Sequence, residues 1–177
     1  NRQLIAMHST VGKPKTQILA QRLLDINPRL NIHIKQLYMD EVQTEILLDE
    51  AKYDYVIDAI DTISPKIALL TGCLKRKIKV ISSMGAGGRI DPTRIAYADI
   101  SETYHCALAK AVRKRLKDAG ISKGIKVVFS SEQPDRNAII RTDEERNKKS
   151  TVGTISYLPA IFGCYLAAYV IRKLSQK

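Results

Sequence analysis

The sequence predicts an α/β fold organised as a doubly wound parallel sheet, and three observations lead there. Short apolar runs rich in β-branched residues alternate with stretches of helical periodicity. One such run, 53–60, meets an acidic end at Asp61 and passes almost directly into a Ser64-Pro65 helix start, where serine can cap and proline loses nothing. The helix that follows, with its apolar body at 67–74, delivers a second run at 79–83. A strand–helix–strand unit of this kind implies a right-handed crossover between parallel strands.

The remaining elements follow in order. Lys13-Pro14-Lys15 opens a helix over 11–27, with Ile18, Leu19, Leu23 and Leu24 at helical spacing and Asn27-Pro28 as its stop. Residues 30–34 alternate apolar with polar and predict a half-exposed strand, with His33 on its surface. Residues 40–48 predict a short helix capped by Asp40. Gly85-Ala86-Gly87-Gly88 predicts a turn, 94–98 a strand, 107–119 a helix closed by Gly120, and 125–129 a further strand. The helix has an apolar stripe, Leu108, Val112 and Leu116, opposite a basic cluster of Lys110, Arg113, Lys114 and Lys117. Residues 132–150 are polar, charged and without apolar periodicity, so they predict a mobile excursion. Residues 152–173 are apolar and predict a helix covering the sheet. The uncharged part of it, 152–171, is about long enough for a bilayer, but Gly153, Pro159 and Gly163 argue for a core or dimer helix instead of membrane contact.

The chain has 177 residues, enough for one domain, 1–177, with a sizeable core. Lys and Arg outnumber Asp and Glu by 29 to 18, a formal charge of +11 that suits a polyanion such as RNA, DNA or a nucleotide. The three cysteines, Cys73, Cys106 and Cys164, form no CxxC pair and no zinc spacing, which points to reduced, packed thiols in a cytoplasmic protein.

In open parallel sheets, ligands bind beyond the carboxyl ends of the strands. Asp61 belongs there, and with Asp58 three positions earlier it could hold a magnesium ion bridging phosphate oxygens, or simply cap a turn. Asn1, Arg2, Gln3 and Lys15 supply an amide, a guanidinium, a second amide and an ammonium suited to phosphate and carboxyl oxygens. The turn at 85–88 matches neither GxGxxG nor a P-loop and reads first as structural, with exposed amides near an anion as the alternative. His8, His33 and His105 share no metal or triad spacing, and no GxSxG is present.

Taken together, Arg2-Gln3, the segment 10–15, Ile26-Asn27-Pro28 and the segment 55–61 resemble successive signatures of the ThiF/MoeB/HesA superfamily of adenylating enzymes, relatives of ubiquitin-activating proteins. Segments 85–93 and 128–132 are similar to its tRNA threonylcarbamoyladenosine dehydratase branch. The resemblance implies a Rossmann-like sheet and ATP with magnesium as cofactors. Arg2 and Lys15 would then contact phosphates, Asn1 and Gln3 would line the pocket, and Asp61 would coordinate magnesium or orient the reacting phosphate. It further implies adenylation of a carboxylate on a modified adenosine of tRNA, ring closure with loss of AMP, and homodimerisation, with a sulfur-transfer protein as a possible partner.

Two departures stand beside it. The superfamily's glycine-loop βαβ unit precedes the Asn-Arg-Gln signature, and this sequence opens at that signature. The chain is therefore expected to be the C-terminal part of a longer enzyme and to bind ATP poorly alone. Lys148, Lys149 and Ser150 stand where some dehydratase relatives carry a cysteine, so no catalytic cysteine is assigned. Competing readings are adenylation of a ubiquitin-like sulfur carrier, and a non-catalytic RNA-binding or dimerisation module.

Overall fold

The computed structural model describes residues 3–145 and 148–176, and Asn1 and Arg2 of the expected site lie outside them. The chain divides into two compact units, Asn1–Tyr38 and Met39–Lys177.

In the first unit a single turn of 3-10 helix, His8–Thr10, precedes helix α1, Lys15–Ile26. The expected strand at 30–34 does not form. Its alternation supplies an apolar edge, but a strand also needs a neighbour for its N–H and C=O groups. Among the described residues no strand pairs with it.

The second unit opens with α2, Glu41–Glu50, whose first turn is capped by the Asp40 carboxylate accepting from Gln43 N–H at 2.8 Å. Then come β1 (Val56–Asp58), α3 (Ile63–Lys75), β2 (Val80–Ser83), β3 (Ile95–Asp99), α4 (Ala107–Asp118) and β4 (Lys126–Ser130). The sheet order is β1-β2-β4-β3. β1, β2 and β4 run parallel, and β3 closes the edge antiparallel to β4, with Tyr97 opposite Val128. The parallel strands are thus connected as in the expected doubly wound unit. β1 is shorter than the run at 53–60 because its ladder is cut at the far end. Ile60 N–H donates to Asp58 at 2.9 Å, and Ile60 C=O accepts from Lys66 at 2.8 Å, so neither group is left for a neighbouring strand. α3 starts earlier than expected, with Thr62 at the cap. Pro65 falls in the first turn, where its missing N–H costs nothing.

One face of the sheet is covered by α3 and α4, whose Leu70, Cys73, Ala109, Val112 and Leu116 meet Val80 and Val127. The other face is covered by α5, Tyr157–Ser175. Leu158, Phe162, Leu166 and Val170, four residues apart, pack on Ile81, Ile95 and Val128. This burial accounts for the apolar C-terminal stretch, and no helix among the described residues is long and apolar enough to cross a membrane. The helix begins at Tyr157, later than the apolar stretch, because Val152 ends a strand. The polar stretch 132–150 is not structureless: β5 (Ile139–Glu145) and β6 (Lys148–Val152) form an antiparallel hairpin. Cys73 is buried as expected and Cys106 is buried too, whereas Cys164, whose apolar neighbours pointed to packing, is exposed on α5.

Candidate functional site at the carboxyl rim of the sheet

β1 and β2 end side by side, Asp58 opposite Ser82, and the residues beyond them build the rim. Asp58 is buried at 1% exposure. It receives the Lys66 ammonium at 2.6 Å, the Ser82 hydroxyl at 2.5 Å and Ile60 N–H. Lys66, from the first turns of α3 and fully buried, also donates to the carbonyls of Ile60 and Ser83 at 2.8 and 2.9 Å. Burial pushes the Lys66 ammonium below its usual value, opposed by the charge and hydrogen bond of Asp58 and by the charge of Asp61. The expectation that Asp58 shares a magnesium ion is therefore corrected: its oxygens are already spent on an ammonium, a hydroxyl and an amide. A lysine eight residues after an aspartate gave no signal in sequence, because only the fold brings them together.

Asp61 is exposed, just before the Thr62 cap of α3, at the rim where the sequence put it. Gln3 and Lys15 are both exposed in the first unit, Lys15 as the first residue of α1. Among the described residues there is no cluster of three or more His, Cys, Asp or Glu side chains able to hold a metal by itself. One carboxylate still suits magnesium, which commonly takes one or two protein oxygens and completes its shell with substrate phosphates and water.

The rim continues from β2 into the glycine turn. Arg89, 4% exposed, is enclosed by carbonyls: its Nη1 donates to Gly85 and Gly87 at 2.9 and 3.0 Å, Nε to Glu132 at 3.0 Å, and Nη2 to His105 at 2.5 Å. The Glu132 carboxylate accepts in return from Ile90 and Asp91 N–H. Gly88 lies at φ +71, donates to Gly153 C=O at 2.8 Å and accepts from Asp135 N–H at 2.7 Å. A Cβ on Gly87 would stand 2.9 Å from Val152. These bonds give the turn a structural role, tying segments 85–93 and 128–132 into one unit. His105, at φ +51, places Nδ1 3.2 Å from Ser131 C=O, just past β4, and Tyr104 stands edge-on to Phe129. Sequence reasoning passed over Lys66, Arg89, Glu132, Tyr104 and His105 as site components.

A mostly parallel sheet whose charged and glycine-rich loops gather at the carboxyl ends of its strands defines a nucleotide-type α/β domain. The ThiF family model matches residues 1–177, and the chain belongs to that family. It is 41% identical over 181 residues to a Bacillus subtilis tRNA threonylcarbamoyladenosine dehydratase, covering 98% of this chain and 71% of that protein. The Haemophilus influenzae dehydratase is 36% identical, covering all of this chain and 71% of that protein. Among solved structures, Escherichia coli tRNA N6-threonylcarbamoyladenosine dehydratase in complex with ATP superposes with a TM-score of 0.85 at 30% identity. That match covers 98% of this chain and 68% of the other.

Proposed function

We propose that this protein carries out the ATP-dependent dehydration of threonylcarbamoyladenosine in tRNA. What supports the reading is similarity to dehydratases over 98% of this chain and 71% of the Bacillus subtilis relative, joined to the match with an ATP-bound one. The carboxylate of the modified adenosine attacks the α-phosphate of ATP and releases pyrophosphate. Ring closure onto the activated carbonyl then expels AMP, so the nucleoside loses one water. By family resemblance, Arg2 and Lys15 would offset charge on the phosphates, and Asn1 and Gln3 would line the nucleotide pocket. Asp61 would orient the reacting phosphate or hold magnesium, which would screen phosphate charge. Lys66 bonds the Asp58 carboxylate and the Ile60 carbonyl, fixing the chain just before Asp61. The exposed apolar row of α5, which includes Ala167 and Ile171, supports a homodimer.

The test supplies the intact protein with ATP, magnesium and tRNA bearing threonylcarbamoyladenosine, and follows nucleoside mass and AMP. Loss of one water, coupled to AMP release, is expected. Asp61→Asn and Lys15→Ala should each slow AMP formation by about 100-fold or more without altering the circular dichroism. Wild-type turnover in either variant removes that residue from the site, and an unchanged nucleoside with the wild-type protein overturns the activity.

A further inference from the structure

We propose that the outward face of α4 carries the phosphate backbone of the RNA substrate along Lys110, Lys114 and Lys117, while Tyr104 stacks on a base at the rim. This rests on tRNA being the substrate.

The rotation of α4 is set by its buried side, Ala109, Val112 and Leu116, each at most 1% exposed. That leaves Lys110, Lys114 and Lys117 exposed at steps of four and three, one line along about 10 Å of helix. Among the described residues no ion pair engages any of the three, whereas Arg76 is held by Glu45 and Asp49. Arg113, the fourth cation expected on this face, is instead turned inward. Its guanidinium donates to the Thr103 carbonyl at 2.8 Å and to the Thr103 hydroxyl. It fixes the loop ahead of the helix and leaves the three lysines as a free row.

The row has a direction. α4 starts beside His105, which rests on Ser131 at the carboxyl end of β4, and its far end connects through 119–125 to the start of β4. The lysines therefore lead from the rim down the flank. At the rim end stands Tyr104, half exposed, its ring 5.4 Å from Phe129 and 5.1 Å from His105. A half-exposed ring held nearly perpendicular to two aromatic neighbours is a stacking platform, and single-stranded RNA offers what both features bind: a run of phosphates and unstacked bases. The chain's net charge of +11 favours the same partner.

The test measures tRNA binding across a salt series for the wild type, a Lys110→Gln/Lys114→Gln/Lys117→Gln variant and Tyr104→Ala. The triple variant should lower the slope of log K against log salt by about 2, since each phosphate contact contributes about 0.7–0.9. Its KM for tRNA should rise about tenfold, while kcat and the KM for ATP hold. Tyr104→Ala, at unchanged Tm, should weaken binding about tenfold and leave the slope alone. A folded triple variant with wild-type slope and KM overturns the surface while leaving the activity in place. So does one that loses heparin affinity but keeps tRNA affinity. A wild-type protein with no affinity for tRNA overturns both readings.

Discussion

Lys66 and Arg89 are two buried cations on the same rim, and their surroundings differ in kind. Lys66 faces a carboxylate and two carbonyls, all from the ends of β1 and β2, so a compact ammonium welds a helix to two strands. Arg89 meets four carbonyls from three separate segments and, among the described residues, no carboxylate. Its planar fork reaches in several directions at once, which a lysine cannot do. The difference teaches that the rim has two layers: a charge-balanced joint beneath Asp61, and a dipole-held cage organising the loops beyond it.

The most severe way to break that contrast is Lys66→Met, which leaves the Asp58 carboxylate buried and uncompensated. Urea denaturation should show a loss of about 3–5 kcal/mol, and adding Asp58→Asn should recover part of it. A loss under about 1 kcal/mol shows that the pair is not the joint described. Arg89→Ala should cost about 2–3 kcal/mol, because the carbonyls it gathers can be partly rehydrated. Arg89→Lys should recover little, and amide exchange should quicken at Gly88 and Asp135 while the β2 amides stay protected. Equal rescue by lysine argues against the fork.

The smallest effect concerns Cys73, in the core behind the Lys66 joint. Burial, then the Asp58 charge, pushes its thiol from 9.0 up to about 11. A group whose folded value is raised stabilises the fold fully below its unfolded value and loses that contribution as pH climbs to the folded one. Alkaline titration should thus show stability falling between about pH 9 and 11, less so in Cys73→Ala. A thiol reagent near neutrality should modify exposed Cys164 and spare Cys73 and Cys106. Rapid labelling of Cys73 in the folded protein contradicts its burial.

The helices were legible because their signals are local. Asp40 caps α2, and Leu108, Val112 and Leu116 set the buried side of α4. The parallel β1–α3–β2 unit was legible for the same reason, since apolar runs and a Ser-Pro start lie next to one another in the chain. The strand at 30–34 was misread because a strand is half of a pairing, and alternation says nothing of the other half. The hairpin at 139–152 was missed because its residues follow no apolar period. Arg113 was counted with the outward cations because its partner, Thr103, lies ten residues away around a loop.

By itself the amino-acid order determined the alternation of helix and strand, the rim position of Asp61, and the segments at 85–93 and 128–132 that mark the branch of the family. These depend on periodicity, caps and contiguous motifs. Only the tertiary structure decided that Asp58 serves Lys66 and Ser82 instead of a metal, that Arg89 closes three loops around its guanidinium, and that three lysines of α4 have no ion pair among the described residues. The partner of a buried charge is chosen by where the chain brings its dipoles and carboxylates, and distance along the sequence does not encode that.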